Sequence, residues 1–261
     1  MKTFHICTIT NDLSQYAAMK ASFLKAGFDE ERCRYEVFDN GAANNHECYG
    51  TFNRVMAETQ EPYLLFCHQD VLLDQNHGYE ELLSIIQTLE KDDPVWAILG
   101  NAGATEDHQL VRRLRDPYGE SLGEAAEPVK VCSLDENFLV VKTASQIRCS
   151  AGLSGFHLYA TDLCLQALQR GYSCYVVSFH LTHLSKGQLN DSFYQAQKSF
   201  QKQWSRQFKF RYVQTACTTI FLSRNEQVRF FFSSYRVTHW LFSNPALHKL
   251  ICRLSDPSYA A

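Results

Sequence analysis

Carboxylates and histidines that follow apolar segments are the residues of this sequence best suited to chemistry. Asp70 comes directly after the apolar run 63–67, as the last residue of His68-Gln69-Asp70. A carboxylate held at the end of a buried strand supplies the hard oxygen ligand that a divalent cation with a diphosphate requires. The alternative is that Asp70 only caps a turn. Asp70 is therefore a candidate metal ligand.

Asp162 is a second candidate, because it falls in the first turn of a predicted helix that Thr161 would cap. A carboxylate that faces a cleft can accept a proton from a sugar hydroxyl, which makes Asp162 a candidate general base. The alternative is a solvated aspartate that only complements the helix dipole.

His180 and His183 have the H-x-x-H spacing that suggests zinc. Two further ligands at matching spacing are missing, and residues three apart on a strand point to opposite faces. We therefore consider His183 alone, as a ligand to a metal held by Asp70 or as a structural histidine. Asp39, before Asn40 and Gly41, is either a ribose or base contact or a turn former.

The segments that position these side chains alternate between strand and helix patterns through the first hundred residues. The predicted strands are 3–10, 34–38, 63–67 and 95–99, and the predicted helices run from Ser14 to Gly27 and over 48–59 and 79–90. This alternation is typical of a mostly parallel sheet with helices on both faces. Polar residues at the carboxyl ends of such strands face the crevice where ligands bind.

The second half of the chain has less regular patterns. Residues 100–128 predict a long loop or flap, and residues 129–142 predict a strand that carries Asp135 and Glu136 in its middle. A helix after Thr161, a strand over 172–179 and an amphipathic helix over 191–208 follow.

Composition excludes several classes of protein. The 261 residues are 45% hydrophobic and 20% charged, which is typical of a globular chain. The net charge of −3 and the absence of a basic block argue against a nucleic-acid partner. Ten cysteines without a C-x-x-C pair, together with a start that lacks signal-peptide features, predict a reduced, cytoplasmic protein. The sequence contains no apolar stretch of 18 or more residues, so it predicts no membrane span.

Four segments, taken in order, resemble bacterial family 2-like glycosyltransferases of the GT-A fold, in particular the streptomycin-biosynthesis glycosyltransferase-like branch. They are CYGTFN from Cys48, PYLLFCHQDV from Pro62, GFHLYATDLCL from Gly155 and HLSKG from His183. The resemblance covers roughly residues 3–205.

The resemblance implies that Asp162 is the catalytic base and that Asp70, with His183, holds Mg²⁺ or Mn²⁺. The residues that it implies for nucleotide or substrate binding are Thr8, Thr10, Asp39, Asn53, His68, Gln69 and His157. Two features depart from the family pattern. His68 replaces the first aspartate of the D-x-D metal motif, and the usual C-terminal Q/R-x-x-R-W motif is not evident, although Gln203-Trp204 leaves an aromatic residue near that region.

The resulting expectation is an α/β protein with a GT-A domain over 1–210 and an extension over 211–261 that packs on the core or at an interface. We expect an inverting, hexosyl-type transfer from a nucleoside diphosphate sugar to a hydroxyl of a glycan or lipid-linked acceptor, in surface polysaccharide or glycoconjugate synthesis. One alternative is a non-catalytic nucleotide-sugar-binding module of the same fold. A sugar nucleotidyltransferase is the other, disfavoured because the loop after the first strand lacks glycines and basic residues.

The aromatic segment 228–242, in which Arg229 and Arg236 are interleaved, leaves three roles open. The three roles are a peripheral contact with the inner face of the membrane, an amphipathic helix that covers the core, and a homodimer contact.

Overall fold

The computed structural model describes residues 1–74, 77–121, 127–187 and 189–255. The strands are β1 (Phe4–Thr10), β2 (Cys33–Asp39), β3 (Tyr63–Cys67), β4 (Val71–Leu72), β5 (Trp96–Gly100), β6 (Ala102–Ala104), β7 (Leu110–Arg112), β8 (Leu114–Asp116), β9 (Gly119–Ser121), β10 (Val129–Val131), β11 (Ser133–Leu134), β12 (Phe138–Lys142), β13 (Ser173–Val176), β14 (Thr182–His183), β15 (Arg211–Gln214) and β16 (Thr219–Leu222). The α-helices are α1 (Leu13–Lys25), α2 (Cys48–Glu58), α3 (Tyr79–Asp92), α4 (Tyr159–Gln169), α5 (Asp191–Trp204), α6 (Glu226–Phe232), α7 (Tyr235–Ser243) and α8 (Pro245–Leu254).

The main sheet of the described chain has the strand order β10-β13-β5-β12-β3-β1-β2. β1 pairs in parallel with β2 and β3, and β13 pairs in parallel with β5. β12 is the middle strand and runs antiparallel to both of its neighbours, β3 and β5. The prediction of a mostly parallel sheet flanked by helices is confirmed.

The core lies in two layers, one on each face of this sheet. On one face, Phe66 of β3 contacts Phe52 of α2 and Tyr159 of α4 edge to face. On the other, Phe4 of β1 packs with Tyr79 of α3. Strands that are covered on both faces read as continuous apolar runs, which is why β3 is evident from the sequence.

Two helices begin at other residues than the sequence predicts. Asp12, not Ser14, caps α1, since its carboxylate accepts the amides of Ser14 at 2.9 Å and Gln15 at 3.3 Å. α4 begins after Leu158, whose φ of 66° turns the chain into the helix, so Thr161 lies inside the first turn.

The predicted flap over 100–128 is wrong for its described part, which forms short hairpins instead. β6 pairs with β7 and β11, while β8 pairs with β9 and β14. At Gly103 in β6, a β-carbon would collide with the carbonyl oxygen of Ser133, so the β6–β11 pairing requires glycine there. Strands of three residues are too short for periodicity to reveal. Residues 122–126 lie outside the described residues.

The strand predicted over 129–142 is also interrupted. The structure divides it into β10, β11 and β12, and Asp135 and Glu136 lie in the turn before β12.

The C-terminal part begins with the β15–β16 hairpin, which has an apolar layer on each side. Val213 and Leu222 join the core under α5, whereas Tyr212 and Phe221 pack against α7 and α8 through Leu241 and Ile251. Residues 256–261 of the predicted extension lie outside the described residues. Within the part of the chain that the structure describes, no helix has the length and apolar character to cross a bilayer.

Candidate functional site

A cavity of about 1110 Å³ opens where β1 and β3 end and the turn before β12 begins. This volume suffices for a nucleotide-sized ligand. Its polar lining includes Thr10, Asn11, Gln15, Asn40, Asn44, His68, Gln69, Asp70, Arg112, Asp116, Tyr118, Asp135, Glu136, His157, His183, Ser185, Lys186, Asn190 and Ser192. Six of the residues predicted from the sequence are among these: Thr10, His68, Gln69, Asp70, His157 and His183.

His68, Asp70 and His183 form a group of potential ligands in this cavity, which we call the cleft triad. His68 directly follows β3, and His183 faces it from β14, which pairs with β4 through the register His183–Val71. The Asp70 Oδ1 atom lies 3.5 Å from His183 Nε2 and 3.9 Å from His68 Nδ1. The β4–β14 pairing thus brings together residues that are more than one hundred positions apart.

The charges of the cleft triad are fixed by its surroundings. Burial acts to raise the pKa of Asp70, but the hydrogen bond from His183 and the charges of both histidines hold that pKa well below its usual range. Burial and the charge of His183 lower the pKa of His68. Asp70 is therefore ionised and His68 neutral near pH 7, the states in which both donate electron pairs to a metal. Burial acts to lower the pKa of His183, but its hydrogen bond to Asp70 raises it, so His183 must release a proton when it binds a metal.

This donor set fits a divalent metal. Two imidazoles and one carboxylate suit a transition metal better than Mg²⁺, which prefers oxygen ligands. Asp116 and Asp135 lie close enough to the triad to interact electrostatically with His183. The excess of negative charge around His183 would be offset by a dication. His68, expected to contact the nucleotide, thus lies with the potential metal ligands.

Gln69 organises the wall of the cleft. Its Oε1 atom accepts hydrogen bonds from the Thr10 hydroxyl and from the amides of Asn11 at 2.9 Å and Asp12 at 3.2 Å. Its Nε2 atom donates to Asn11 Oδ1 at 2.7 Å. The side chain therefore ties the end of β3 to the loop after β1.

Three residues predicted to bind the nucleotide do not line the cavity, and their role in binding stays a prediction. Thr8 is fully buried, with its hydroxyl 3.5 Å from the sulfur of Cys67. Asn53 forms two hydrogen bonds with the backbone of Cys149, at 3.0 and 2.7 Å. Asp39 accepts the amide of Gly41 at 2.7 Å, which is the turn-forming alternative.

Asp162 also lies outside the cleft. It is fully buried, and its carboxylate accepts hydrogen bonds from the Ser150 amide at 2.7 Å, the Ser150 hydroxyl at 2.6 Å and Trp204 Nε1 at 2.8 Å. The carboxylate exposes no surface to an acceptor hydroxyl in this structure, so the burial of Asp162 does not support its role as the base, which stays a prediction. The carboxylate instead joins α4 to α5.

Glu136 is the carboxyl group that sequence reasoning missed. It lines the cavity from the turn before β12, and the backbone amides of Leu158, Tyr159 and Ala160 at the start of α4 donate to it. Burial, together with the charge of Asp135, raises the pKa of Glu136 to about 8 despite these bonds. The adjacent acids were visible in the sequence, but their prediction inside a strand concealed the turn that directs Glu136 to the cleft.

Basic residues of the cleft were missed as well. Lys186 is exposed at the cavity wall, where the Tyr118 hydroxyl donates to its carbonyl oxygen at 3.1 Å. Arg112 forms an ion pair with Asp116. Arg112 lies in β7, within the segment that was predicted to be a flap, which is why its position was not predicted.

Comparisons with known proteins support the fold. No known protein-family profile matches the chain. The chain is 29% identical over 214 residues to "ATP synthase subunits region ORF 6" of Fuscovulum blasticum. This match covers 80% of this chain and 86% of that protein.

Among solved structures, residues 1–349 of TarS from S. aureus in complex with UDP-GlcNAc superpose with a TM-score of 0.51 at 12% identity, covering 76% of this chain. The chain spans 65% of the length of that TarS fragment. GalNAc-T7, crystallised with UDP, GalNAc and Mn²⁺, has a TM-score of 0.48 at 10% identity over 71% of this chain and 44% of its own. The topology of the sheet and the superposition on TarS show that the chain has the fold of the GT-A glycosyltransferases.

Proposed function

We propose that this protein is a metal-assisted glycosyltransferase that uses a nucleoside diphosphate sugar. The observation that carries the proposal is the cleft triad, His68, Asp70 and His183, placed at the carboxyl edge of a GT-A sheet. In an α/β sheet this edge is where ligands bind. Mn²⁺ held by the triad would offset the charge that develops on the leaving diphosphate.

Side chains of the cleft also support a diphosphate donor. Lys186 brings a positive charge to the wall of the cavity, and Arg112 brings another next to Asp116. Gln69 and Thr10 keep the loop after β1 in place beside the triad. Because the TarS structure contains UDP-GlcNAc, UDP-sugars are the first donors to test.

Glu136 is the base in this proposal. Its ionised carboxylate would take the proton of an acceptor hydroxyl as that oxygen attacks the anomeric carbon, with inversion of configuration. The α4 amides that hold Glu136 fix the direction of its oxygens. We propose a hexosyl sugar and a glycan or lipid-linked acceptor, in polysaccharide or glycoconjugate synthesis in the cytoplasm. All ten cysteines are free thiols in the described chain, which accords with a reducing compartment.

A non-catalytic nucleotide-sugar-binding module is the second candidate. The burial of Asp162 favours it, since the residue expected to be the base is engaged in the core. A nucleotidyltransferase is disfavoured, because the Asp12 carboxylate occupies the amides at the start of α1 that a triphosphate would need.

Thermal unfolding of the wild type, Asp70→Asn and Asp39→Asn with UDP, GDP, dTDP or CMP, each with and without Mn²⁺, tests the proposal. At about 100 times its dissociation constant a ligand stabilises the native state by about 2.7 kcal/mol, which raises Tm by several degrees. We expect one diphosphate to raise Tm with Mn²⁺ in the wild type and in Asp39→Asn, whose carboxylate lies outside the cavity. In Asp70→Asn the metal-dependent part of the shift should disappear.

The same panel separates the two candidate functions. The sugar derivative of the responding nucleotide is then incubated with the enzyme, and release of the free nucleotide is measured. Release that depends on Glu136 supports the transferase, whereas binding without release supports the binding module. A wild type that responds to none of these nucleotides would contradict both.

A further inference from the structure

A second cluster of potential metal ligands lies outside the cleft. His108, in the turn between β6 and β7, meets His248 and Cys252 of α8, and their ligand atoms all lie within 4.8 Å of one another. His248 and Cys252 are four residues apart, so both project from one face of the helix. We call these three residues the α8 cluster.

The distances within the α8 cluster match a tetrahedral metal centre. His108 Nδ1 lies 3.1 Å from His248 Nε2 and 3.7 Å from Cys252 Sγ. With Zn–N bonds of about 2.0–2.1 Å and Zn–S bonds of about 2.3 Å, a tetrahedron separates two nitrogens by roughly 3.3 Å and nitrogen from sulfur by roughly 3.6 Å. Two of the three ligand pairs are thus spaced as zinc ligands are, and the third pair, His248 with Cys252, lies within 4.8 Å.

The tautomer of His108 leaves the correct nitrogen available. Its Nε2 atom lies 3.3 Å from the carbonyl oxygen of Tyr212, which can only accept, so Nε2 carries the proton. The lone pair of Nδ1 then points into the cluster. Metal-binding histidines commonly donate their other N–H to a backbone carbonyl in this way.

Hydrogen bonding alone accounts poorly for the cluster. His108 Nδ1 has one lone pair, yet both His248 Nε2 and the Cys252 thiol approach it. His108 also adopts a φ of 65°, a left-handed conformation that is uncommon for a residue other than glycine. The chain thus holds His108 in a rare conformation where two donors would compete, whereas a metal ion accepts all three ligands at once.

We propose that His108, His248 and Cys252 bind one Zn²⁺ ion, with water as the fourth ligand. Binding releases the thiol proton of Cys252 to solvent, so that sulfur binds as the thiolate. Asp107 acts electrostatically on both His108 and Cys252 in favour of a cation, and Arg211, which acts on His108 against one, is itself ion-paired with Glu106. The ion joins α8 to the β6–β7 turn and, through Tyr212, to β15, so that it anchors the C-terminal helices to the main domain.

Metal analysis of the full-length protein with Zn²⁺ and Co²⁺ tests this site. We expect Cys252→Ser to lose one bound zinc per chain and to lose the thiolate-to-cobalt charge-transfer absorption of the wild type. His248→Ala should lower zinc affinity by more than the roughly 10–100-fold that a second-shell partner contributes. Cys217→Ser and His239→Ala, which change an exposed thiol and an exposed histidine elsewhere, should keep both signals.

Two further measurements keep the outcome unambiguous. Asp70→Asn alters the cleft triad, which has no thiolate, and should leave the charge-transfer absorption intact. If Cys252→Ser fails to fold, protection of Cys252 from alkylation by added Zn²⁺, mapped by mass spectrometry in the wild type, replaces it. A wild type without thiolate–cobalt absorption, or a Cys252 thiol that alkylates equally with and without Zn²⁺, would overturn the proposal. Neither result depends on whether the cleft transfers a sugar.

Discussion

Glu136 and Asp162 are both carboxyl groups held by backbone amides, but their free space differs. Glu136 borders a cavity of about 1110 Å³. Asp162 is enclosed by donors from Ser150 and Trp204. A carboxylate whose oxygens are all engaged stabilises the fold, whereas one that faces a cavity can exchange protons with a ligand.

Glu136→Gln is expected to reduce sugar transfer by about 10²–10⁴-fold, the usual contribution of a general base, and to leave nucleotide binding within a few-fold of the wild type. The base acts only when ionised, and the pKa of Glu136 is raised to about 8, so wild-type kcat/KM should rise with pH up to about 8 and then level off. Initial rates between pH 5.5 and 9.5 check this. A Gln variant with full activity would exclude Glu136 as the base.

Asp162→Asn is expected to affect stability first. The amide group brings a donor against Ser150 or Trp204, and a buried donor left without an acceptor costs about 1–3 kcal/mol. We expect unfolding by urea to show a loss of more than about 2 kcal/mol, against about 1 kcal/mol for Ser150→Ala, which removes only the hydroxyl. A stable Asn variant that binds nucleotide but transfers no sugar would restore Asp162 as the base.

At the scale of elements, the cleft depends on how the end of β3 is fastened to its neighbours. β14 pairs with β4 and brings His183 to Asp70, while Gln69 secures the loop after β1. Within His68-Gln69-Asp70, the two outer residues are thus potential ligands, and Gln69 between them holds the neighbouring loop in place. This explains how a segment without the first aspartate of D-x-D still presents a group of potential metal ligands.

Gln69→Ala should separate positioning from metal binding. Loss of its carboxamide leaves the Asn11 amide without its acceptor and the Asp12 amide with only the Thr10 hydroxyl, so the loop loosens. We expect the KM for the donor to rise about tenfold, equivalent to about 1.4 kcal/mol, with Mn²⁺ affinity unchanged. Steady-state kinetics and Mn²⁺ titration check this, with the exposed Gln60→Ala as the control. An equal loss of Mn²⁺ affinity would show that Gln69 supports the metal directly.

At the scale of the whole molecule, charge is unevenly distributed. Residues 226–254 contain four basic and one acidic side chain, whereas the complete chain has a net charge of −3. The same helices pack Leu241 and Ile251 against the β15–β16 hairpin and leave Phe230 and Trp240 87% and 61% exposed. These helices therefore cover the core with some side chains and expose large aromatic ones, and aromatic and basic residues together are typical of helices that bind anionic membrane surfaces.

Replacing Phe230 and Trp240 together by serine should weaken sedimentation with anionic vesicles more than tenfold, because each ring contributes about 1.5–3 kcal/mol when it is buried. Binding of the wild type should also fall as salt is raised. Leu13→Ser, which changes an exposed apolar residue on α1, is the matched control. If the double variant instead shifts a dimer to a monomer in sedimentation velocity, the face is a homodimer contact.

Sequence reasoning succeeded where a pattern is long or buried on both sides. The parallel strands and the position of Asp70 after β3 follow from such patterns, whereas the proximity of His183 to Asp70 depends on the two-residue pairing of β4 with β14. The pattern failed where tertiary pairing decides, as in the three-residue strands of the supposed flap and the engagement of Asp162 by Trp204 from a distant helix. No local signal distinguishes an aspartate that faces a cleft from one that faces an indole N–H.

The central position of β12 also governs the order in which the protein can fold during synthesis. β3 and β5 are complete once residue 100 has left the ribosome, but the strand that joins them spans Phe138–Lys142. Until then the nascent chain holds one partial sheet, β2-β1-β3, and a β5 strand that lacks both of its neighbours, since β13 is made later than β12. The open edges of β3 and β5 invite pairing with other chains. Fragments that end before β12 should therefore aggregate even though they contain every element of the first hundred residues.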